Sequence, residues 1–254
     1  MNIDLSRKIA VVTGASGELG RVMARTLASC GADIAVHYLT SEARAQAVVA
    51  EIQAMGRRAI AVKADITSKD DVLAMQQAVT AGLGDADIIV NNAVIQIHPW
   101  KPVLEEAIAD YESQFRSCTV HNVVMAQAFV PGMIARGWGR VIGINTECSM
   151  QMFPNYSAYA AGKRGMDGVL RVLAREIGPH GITVNQVAPG WMISDKYRET
   201  GGESQPNYEK NVPLRRRGTD KDIANAVAFL ASDLAGFITG VYLPVSGGTV
   251  MPGI

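Results

Sequence analysis

Lys8-Ile-Ala-Val-Val-Thr-Gly-Ala-Ser-Gly-Glu-Leu-Gly20 is the stretch that decides the fold. An apolar, β-branched run of strand length ends in a glycine-rich turn, and the turn feeds the helix-forming Arg21-Val-Met-Ala-Arg-Thr-Leu-Ala28. Glycine lets a backbone come close to a pyrophosphate, while the unpaired N–H groups at a helix start, with the positive end of its dipole, hold the anion. Taken alone, such a turn is equally a tight strand-to-helix connection without a ligand. Its place after the first strand of an alternating chain favours dinucleotide binding, with Gly14, Ser16, Gly17, Glu18, Leu19 and Gly20 around the phosphates.

Outward from this turn, strand-like runs at 8–13, 33–38, 58–63, 86–91, 140–145, 181–187 and 240–245 alternate with longer helical patterns. Several runs are nearly continuous in Val, Ile and Ala, as strands buried on both faces should be, so helices must cover both sides of a parallel sheet. Residues 20–31 and 41–55 carry helix formers, and Ser68-Lys-Asp-Asp71 resembles an N-cap entering a helix that runs through Val79. These patterns predict an α/β, doubly wound parallel sheet in a single domain over residues 1–254. Residues 194–211 show neither period and are rich in Gly, Ser, Asn and charge, which predicts a mobile substrate loop, a lid.

Composition excludes several function classes. With 48% apolar residues in 254, the chain can bury one substantial core. Lysines plus arginines equal aspartates plus glutamates, at 24 each, so no net field draws it to nucleic acid or an anionic membrane, and a small molecule is the expected partner. Cys30, Cys118 and Cys148 are odd in number and lack CxxC spacing, which predicts no metal centre and reduced thiols. The start shows no signal-peptide core, and no apolar stretch reads as long enough to span a bilayer. A soluble cytoplasmic protein is expected.

Ligands of open α/β sheets bind along the carboxyl edge of the strands. Asp65, with Ile66 beside it, follows the third strand, where it either accepts a hydrogen bond from an adenine amino group or caps the next helix. Asn91-Asn-Ala-Val94 follows the fourth, bringing Asn92, Ala93 and Val94 to the same edge. The second strand ends His37-Tyr-Leu-Thr-Ser41, with no acidic residue to bind ribose hydroxyls and repel a 2′-phosphate. NADP is therefore expected over NAD, with Tyr38 and Ser41, aided by Arg44, around the phosphate.

Ser157-Ala-Tyr-Ala-Ala-Gly-Lys163 opens a helical pattern that continues through Met166, Val169, Leu170, Leu173 and Ile177. Tyr159 and Lys163 then share one helix face. A ketone accepts hydride only if a proton reaches its oxygen, and a tyrosine hydroxyl holds its proton tightly. A neighbouring ammonium and a cationic nicotinamide should lower that affinity and fit the pair to acid–base work. A tyrosine and lysine four apart are, by spacing alone, more often ordinary helix surface.

With the glycine turn, Asn91-Asn-Ala93 and Tyr159-x-x-x-Lys163 in this order, the chain resembles the short-chain dehydrogenase/reductase family over essentially its whole length. Asn185-Gln-Val-Ala-Pro-Gly190, Asp222-Ile-Ala224 and Ile238-Thr-Gly-Val-Tyr-Leu-Pro-Val-Ser-Gly-Gly248 extend the match. The resemblance implies a Rossmann-type sheet of about seven strands, an NAD(P)-dependent oxidoreductase and, commonly, a homotetramer. It also implies that Pro189, Gly190 and Met192 lie at the nicotinamide, with Ile193 offering its backbone and Ser194 its hydroxyl.

Four positions depart from the family's pattern. Glu18 and Val94 replace glycines, which puts a carboxylate near the pyrophosphate and a branched side chain near the ribose. Thr146 stands where a serine binds the substrate carbonyl, and its hydroxyl can make the same bond while its methyl narrows the pocket. Cys118 stands at the asparagine whose main-chain carbonyl holds a water linked to the lysine, leaving the relay to Cys118, His121 or Asn122. Ser149 lies three residues too close to Tyr159 to take the serine's part.

His98, Trp100, Met150, Met152 and Trp191 are expected to line an apolar substrate pocket, which implies a ketone or secondary alcohol with an apolar body. Methionines after a strand are also ordinary core residues. The name 3-oxoacyl-carrier-protein reductase is the common one for such sequences. Two positions where those enzymes often offer arginine are Gly137 and His180, although Arg136 adjoins the first. The substitutions at Glu18, Val94 and Cys118 keep a second reading open, a dinucleotide-binding homologue with little or no turnover.

Overall fold

The computed structural model describes residues 2–95 and 99–253. Seven strands, β1 (Ile9–Val12), β2 (Asp33–Tyr38), β3 (Ala59–Lys63), β4 (Ile88–Asn91), β5 (Gly139–Ile144), β6 (Ile182–Pro189) and β7 (Tyr242–Val245), form one sheet. Their order is β3-β2-β1-β4-β5-β6-β7 and every pairing is parallel. The chain winds outward from β1 in one direction and from β4 in the other. The crevice between β1 and β4, at the carboxyl edge, is therefore the topological switch point where such sheets bind ligands.

The strands are apolar throughout because alternate side chains enter two separate cores. Ala10, Val12, Ile34, Val36, Ile88, Val90, Ile142 and Ile144 pack on the face covered by α1 (Glu18–Ser29), α2 (Glu42–Ala54) and α10 (Asp220–Ala231). Ile9, Val11, Ala35, Ile89, Val141 and Val184 pack on the other, against α3 (Lys69–Gly82), α5 (His121–Arg136) and α7 (Ser157–Ile177). Each fully buried Val or Ile contributes about 2 kcal/mol of transfer free energy. Side-chain caps set two of the helix starts. The Ser68 hydroxyl accepts the Asp71 N–H at α3, and Thr219 with Asp222 forms a reciprocal capping box at α10.

Two expectations change. α4 (Ile108–Gln114), a π-helical turn (Phe115–Val120) and α5 run on as one rod of 29 residues with mean hydropathy 1.3 in its most apolar window, long and apolar enough to cross a membrane by those measures. Half of that window is buried in the fold, so core packing accounts for its apolarity where the sequence suggested no such stretch. Residues 194–211 are also not aperiodic, because they form α8 (Asp195–Thr200) and α9 (Pro206–Glu209). Helices of four to six residues are too short to display a period. Arg198 holds this segment to Asp220 with two bonds of 2.9 and 2.8 Å, and Asp195 pairs with Arg21 of α1. The Arg217 guanidinium donates to the carbonyls of Trp191, Met192, Gly202 and Glu203. The four-residue α6 (Cys148–Gln151) follows β5.

Candidate active site

A cleft of about 810 Å³ follows the carboxyl edge from the glycine turn to Tyr159 and Lys163. Gly14, with φ at +66°, sits so close to the fourth strand's end that a Cβ there would come within 3.0 Å of Asn92 Nδ2 and 3.2 Å of Ala93 Cα. A Cβ on Gly20 would collide with the Gly14 carbonyl. Gly17 is the N-cap residue of α1, and no side chain caps that helix. The turn thus presents an uncapped helix start to the cleft, and the residues present fit a pyrophosphate. Ser16, Gly17, Glu18 and Leu19 line the same wall.

Buried polar groups hold the turn in place. Thr13 Oγ1 accepts the N–H groups of Asn92 and Ala93 at 2.9 and 3.0 Å, and Asn92 Nδ2 donates to the Thr13 carbonyl at 2.9 Å. His37 Nδ1 accepts the Gly14 N–H at 2.9 Å, which leaves Nε2 to donate to the Ala64 carbonyl at 3.0 Å. Burial lowers the His37 pKa and so preserves this neutral tautomer. Nothing in the spacing of the sequence announces that role. Its one sign is a histidine at a strand end facing a glycine turn.

At the adenosine end, Asp65 and Ile66 line the cleft as expected, but Asp65 Oδ1 accepts both the N–H (2.8 Å) and the hydroxyl (2.7 Å) of Thr67, while Ser68 caps α3. At the end of β2 the lining residues are His37, Leu39 and Thr40 instead of Tyr38 and Ser41. Strand alternation explains the correction, since Tyr38 follows Val36 into the core under α1 and α2, and Ser41 sits at the N-cap of α2. Lys163 and Lys196 are the cations among the described lining residues, on α7 and α8, and the β2–α2 wall supplies none. Val94 lines the cleft beside Asn92 and Ala93.

Tyr159 and Lys163 share the face of α7 turned to the cleft. The Lys163 ammonium is buried, lies 5.8 Å from the centre of the Tyr159 ring and donates to the Ile144 carbonyl at 2.6 Å. In the chain alone, burial lowers the Lys163 pKa and raises that of Tyr159. Desolvation of the phenolate outweighs any help from an ammonium committed elsewhere. The thiols of Cys118 and Cys148 add to the upward push on Tyr159, and a hydrogen bond from the neighbouring Thr146 hydroxyl opposes it. The balance keeps Tyr159 as the neutral phenol. Ser149, by contrast, turns its hydroxyl to the Thr146 carbonyl at 3.0 Å.

Cys118 lies inside the π-helical turn, packed against Gly162, where a Cβ would meet its own at 3.2 Å. Its carbonyl accepts Asn122 Nδ2 at 2.6 Å, and Asn122 Oδ1 in turn accepts Asn91 Nδ2 at 2.8 Å. His121 is buried near Lys163 and His37, and desolvation pushes its pKa down to about 3, so it carries no extra proton. Of the three relay positions, His121 is therefore neutral and the Asn122 side-chain amide is committed to the Cys118 carbonyl.

Pro189, Gly190 and Ser194 line the cleft as expected. Ile193 does not offer a free backbone, since its N–H donates to Gly218 and its carbonyl accepts from Asp220 in a short parallel bridge. Met192 packs on the core and against Gly218. Of the expected substrate residues, Trp100 stacks on Tyr156 at 5.0 Å and reaches the Tyr159 ring at 5.6 Å. Trp191 is 41% exposed and wedged against Tyr197 and Tyr208. Met152 is exposed, Met150 half-buried, and neither lines the cleft, because the α6 turn carries them away from it. His98 lies outside the described residues.

Comparison with known proteins agrees with this geometry. The family model described as Enoyl-(Acyl carrier protein) reductase matches residues 14–250. The 3-oxoacyl-[acyl-carrier-protein] reductase FabG of Staphylococcus epidermidis is 37% identical over 244 residues, 96% of this chain and 99% of the relative. A 7α-hydroxysteroid dehydrogenase solved with NADH and 7-oxo glycochenodeoxycholic acid superposes with a TM-score of 0.89 at 32% identity, covering 99% of this chain and 97% of its own. LugOII, described as a promiscuous reductase catalysing keto-reduction at C1 in lugdunomycin biosynthesis, gives 0.87 at 30% identity, with 97% and 99% covered. The chain belongs to the short-chain dehydrogenase/reductase family and is an NAD(P)-dependent oxidoreductase acting between ketones and alcohols.

Proposed function

We propose that Tyr159 protonates the oxygen of an apolar ketone as hydride reaches its carbon, and takes the proton back in the reverse direction. The observation that carries this reading is the convergence of Tyr159, Lys163 and Thr146 at the end of a cleft whose other end is the glycine-turn cradle. Thr146 orients the carbonyl, and Lys163 holds the floor of the site and would return a proton to Tyr159 from solvent by way of a water held at the Cys118 carbonyl. When bound, the nicotinamide supplies or removes hydride. Gly14, Ser16, Gly17, Glu18, Leu19 and Gly20 would hold its phosphates, and Pro189, Gly190 and Ser194 its nicotinamide end.

The absence of an acidic residue at the end of β2 favours NADP. A second reading, NAD, is favoured by the same wall, where Leu39 and Thr40 stand with no lysine or arginine to balance a 2′-phosphate and with Glu18 on the adjoining turn. The related hydroxysteroid dehydrogenase was solved with NADH. The apolar groove between α5 and α7, lined by Val123, Ala126, Val169, Val172 and Leu173, supports a homo-oligomer, in keeping with a tetramer. Three unpaired cysteines support a cytoplasmic location. The test is turnover of a panel of ketones, including carrier-linked 3-oxoacyl chains and oxo-steroids, with each nicotinamide cofactor. Oxidation of NADH or NADPH with at least one apolar ketone is expected. Tight cofactor binding with no turnover on any member would contradict the reading.

A further inference from the structure

Glu147 directly follows Thr146, and a carboxylate there is unusual in physical terms because it is almost fully buried, at 3% exposure. Burial raises its pKa, a sign that the site costs free energy that its contacts must offset. Those contacts join three separate pieces of chain. The Glu147 N–H donates to the Pro189 carbonyl at 2.9 Å, tying the loop after β5 to the Pro189-Gly190 turn. Its Oε1 accepts the Tyr208 hydroxyl of α9 at 2.8 Å, and that hydroxyl accepts the Trp191 N–H at 2.9 Å. The Tyr208 and Trp191 rings meet edge to face at 5.5 Å.

Gly190 shows how close this junction is. A Cβ there would come within 2.8 Å of the Tyr208 hydroxyl and 3.0 Å of Glu147 Oε2. α9 buries no side chain of its own, so apolar packing does not hold it down. The hydroxyl of Tyr208 anchors it to the residue next to Thr146 and to the backbone of Trp191.

We infer that Glu147 and Tyr208 form a latch that seats the 190–209 segment over the nicotinamide end of the cleft, which makes them positioning residues for the ketone that binds there. The inference rests on the proposed placement of the nicotinamide beside Pro189 and Gly190. A Tyr208→Phe enzyme keeps the ring and loses both hydrogen bonds. Glu147→Gln keeps an acceptor oxygen for Tyr208, whereas Glu147→Ala removes it.

The test combines steady-state kinetics on the full chain with hydrogen exchange of the Trp191 amide in the cofactor-free protein. Tyr208→Phe and Glu147→Ala are expected to raise KM for the ketone by about tenfold with kcat changed by less than about twofold, the pattern of lost ground-state positioning. Glu147→Gln should stay near wild type, and the double variant should be no worse than either damaging single one. The Trp191 amide should exchange about tenfold faster in Tyr208→Phe, as expected for one lost hydrogen bond. Unchanged exchange and KM in Tyr208→Phe, additive damage in the double variant, or Glu147→Gln as impaired as Glu147→Ala would overturn the latch. Exchange needs no substrate, so it reads the latch even if no ketone is turned over, and a failure of the functional reading stays distinguishable from a failure of this one.

Discussion

Asn122 Nδ2 donates to the Cys118 carbonyl across 2.6 Å, one turn along the rod that precedes β5. The family resemblance assigns position 118 to an asparagine that supports a kink, and here the kink is a π-helical turn braced from position 122. Asn91 completes the chain by donating to Asn122 Oδ1 at 2.8 Å. The side chain at 118 is thereby relieved of a polar duty, and a buried thiol can occupy it.

This arrangement separates two variants that the sequence alone treats alike. Cys118→Ala leaves the carbonyl in place, and its kcat should fall by no more than about threefold, the cost of a small packing defect beside the site. Asn122→Ala frees that carbonyl and leaves Asn91 without its acceptor, so kcat should fall about tenfold or more. Steady-state rates with saturating ketone and cofactor measure both, and an order in which Cys118→Ala is the more damaged would contradict the bracing.

The wall after β2 makes cofactor choice adjustable. Leu39 and Thr40 offer neither attraction nor repulsion to a 2′-phosphate, so a single cation should decide it. Leu39→Arg is expected to raise the ratio of kcat/KM for NADPH over NADH by about tenfold, equivalent to one partly exposed charge pair or charged hydrogen bond. Raising the salt concentration should shrink that gain. A ratio unmoved by the arginine would place the adenosine 2′-position elsewhere.

His121 predicts the direction of acid sensitivity. Its pKa in the folded chain is pushed from the ordinary 6.5 to about 3 by burial first, and then by the neighbouring His37 and Lys163. The unfolded chain therefore binds a proton that the folded chain refuses, so the stability His121 contributes is complete above the ordinary value and is lost as pH falls from 6.5 toward about 3. Thermal unfolding across this window should show a falling melting temperature, and His121→Gln should flatten the slope. A variant as acid-sensitive as wild type would show that other groups set it.

Much of this was legible in the sequence for a definite reason. Continuous apolar runs such as Ile9–Val12 and Asp33–Tyr38 reflect burial on two faces, and that property survives in one dimension. The glycine turn was readable because close backbone approach admits few residue types, as Gly14 and Gly20 show. Lining positions after a strand were harder, since a slip of one residue exchanges core for cleft, as happened between Tyr38 and Leu39. The roles of His37, Asn122 and Glu147 depend on contacts across 23, 31 and 61 positions, which no local period records. Spacing reports that Lys163 is near Tyr159 but not that its ammonium donates to the Ile144 carbonyl.

The central claim is that Tyr159 supplies the proton, and Tyr159→Phe tests it most directly. Its ring keeps the contact with Trp100 and loses only the hydroxyl. With NADH or NADPH and a ketone that the wild-type enzyme reduces, the variant should lose about a thousandfold in kcat while the Kd for cofactor changes by less than about threefold. Equal turnover by wild type and variant, with cofactor bound normally, would contradict it.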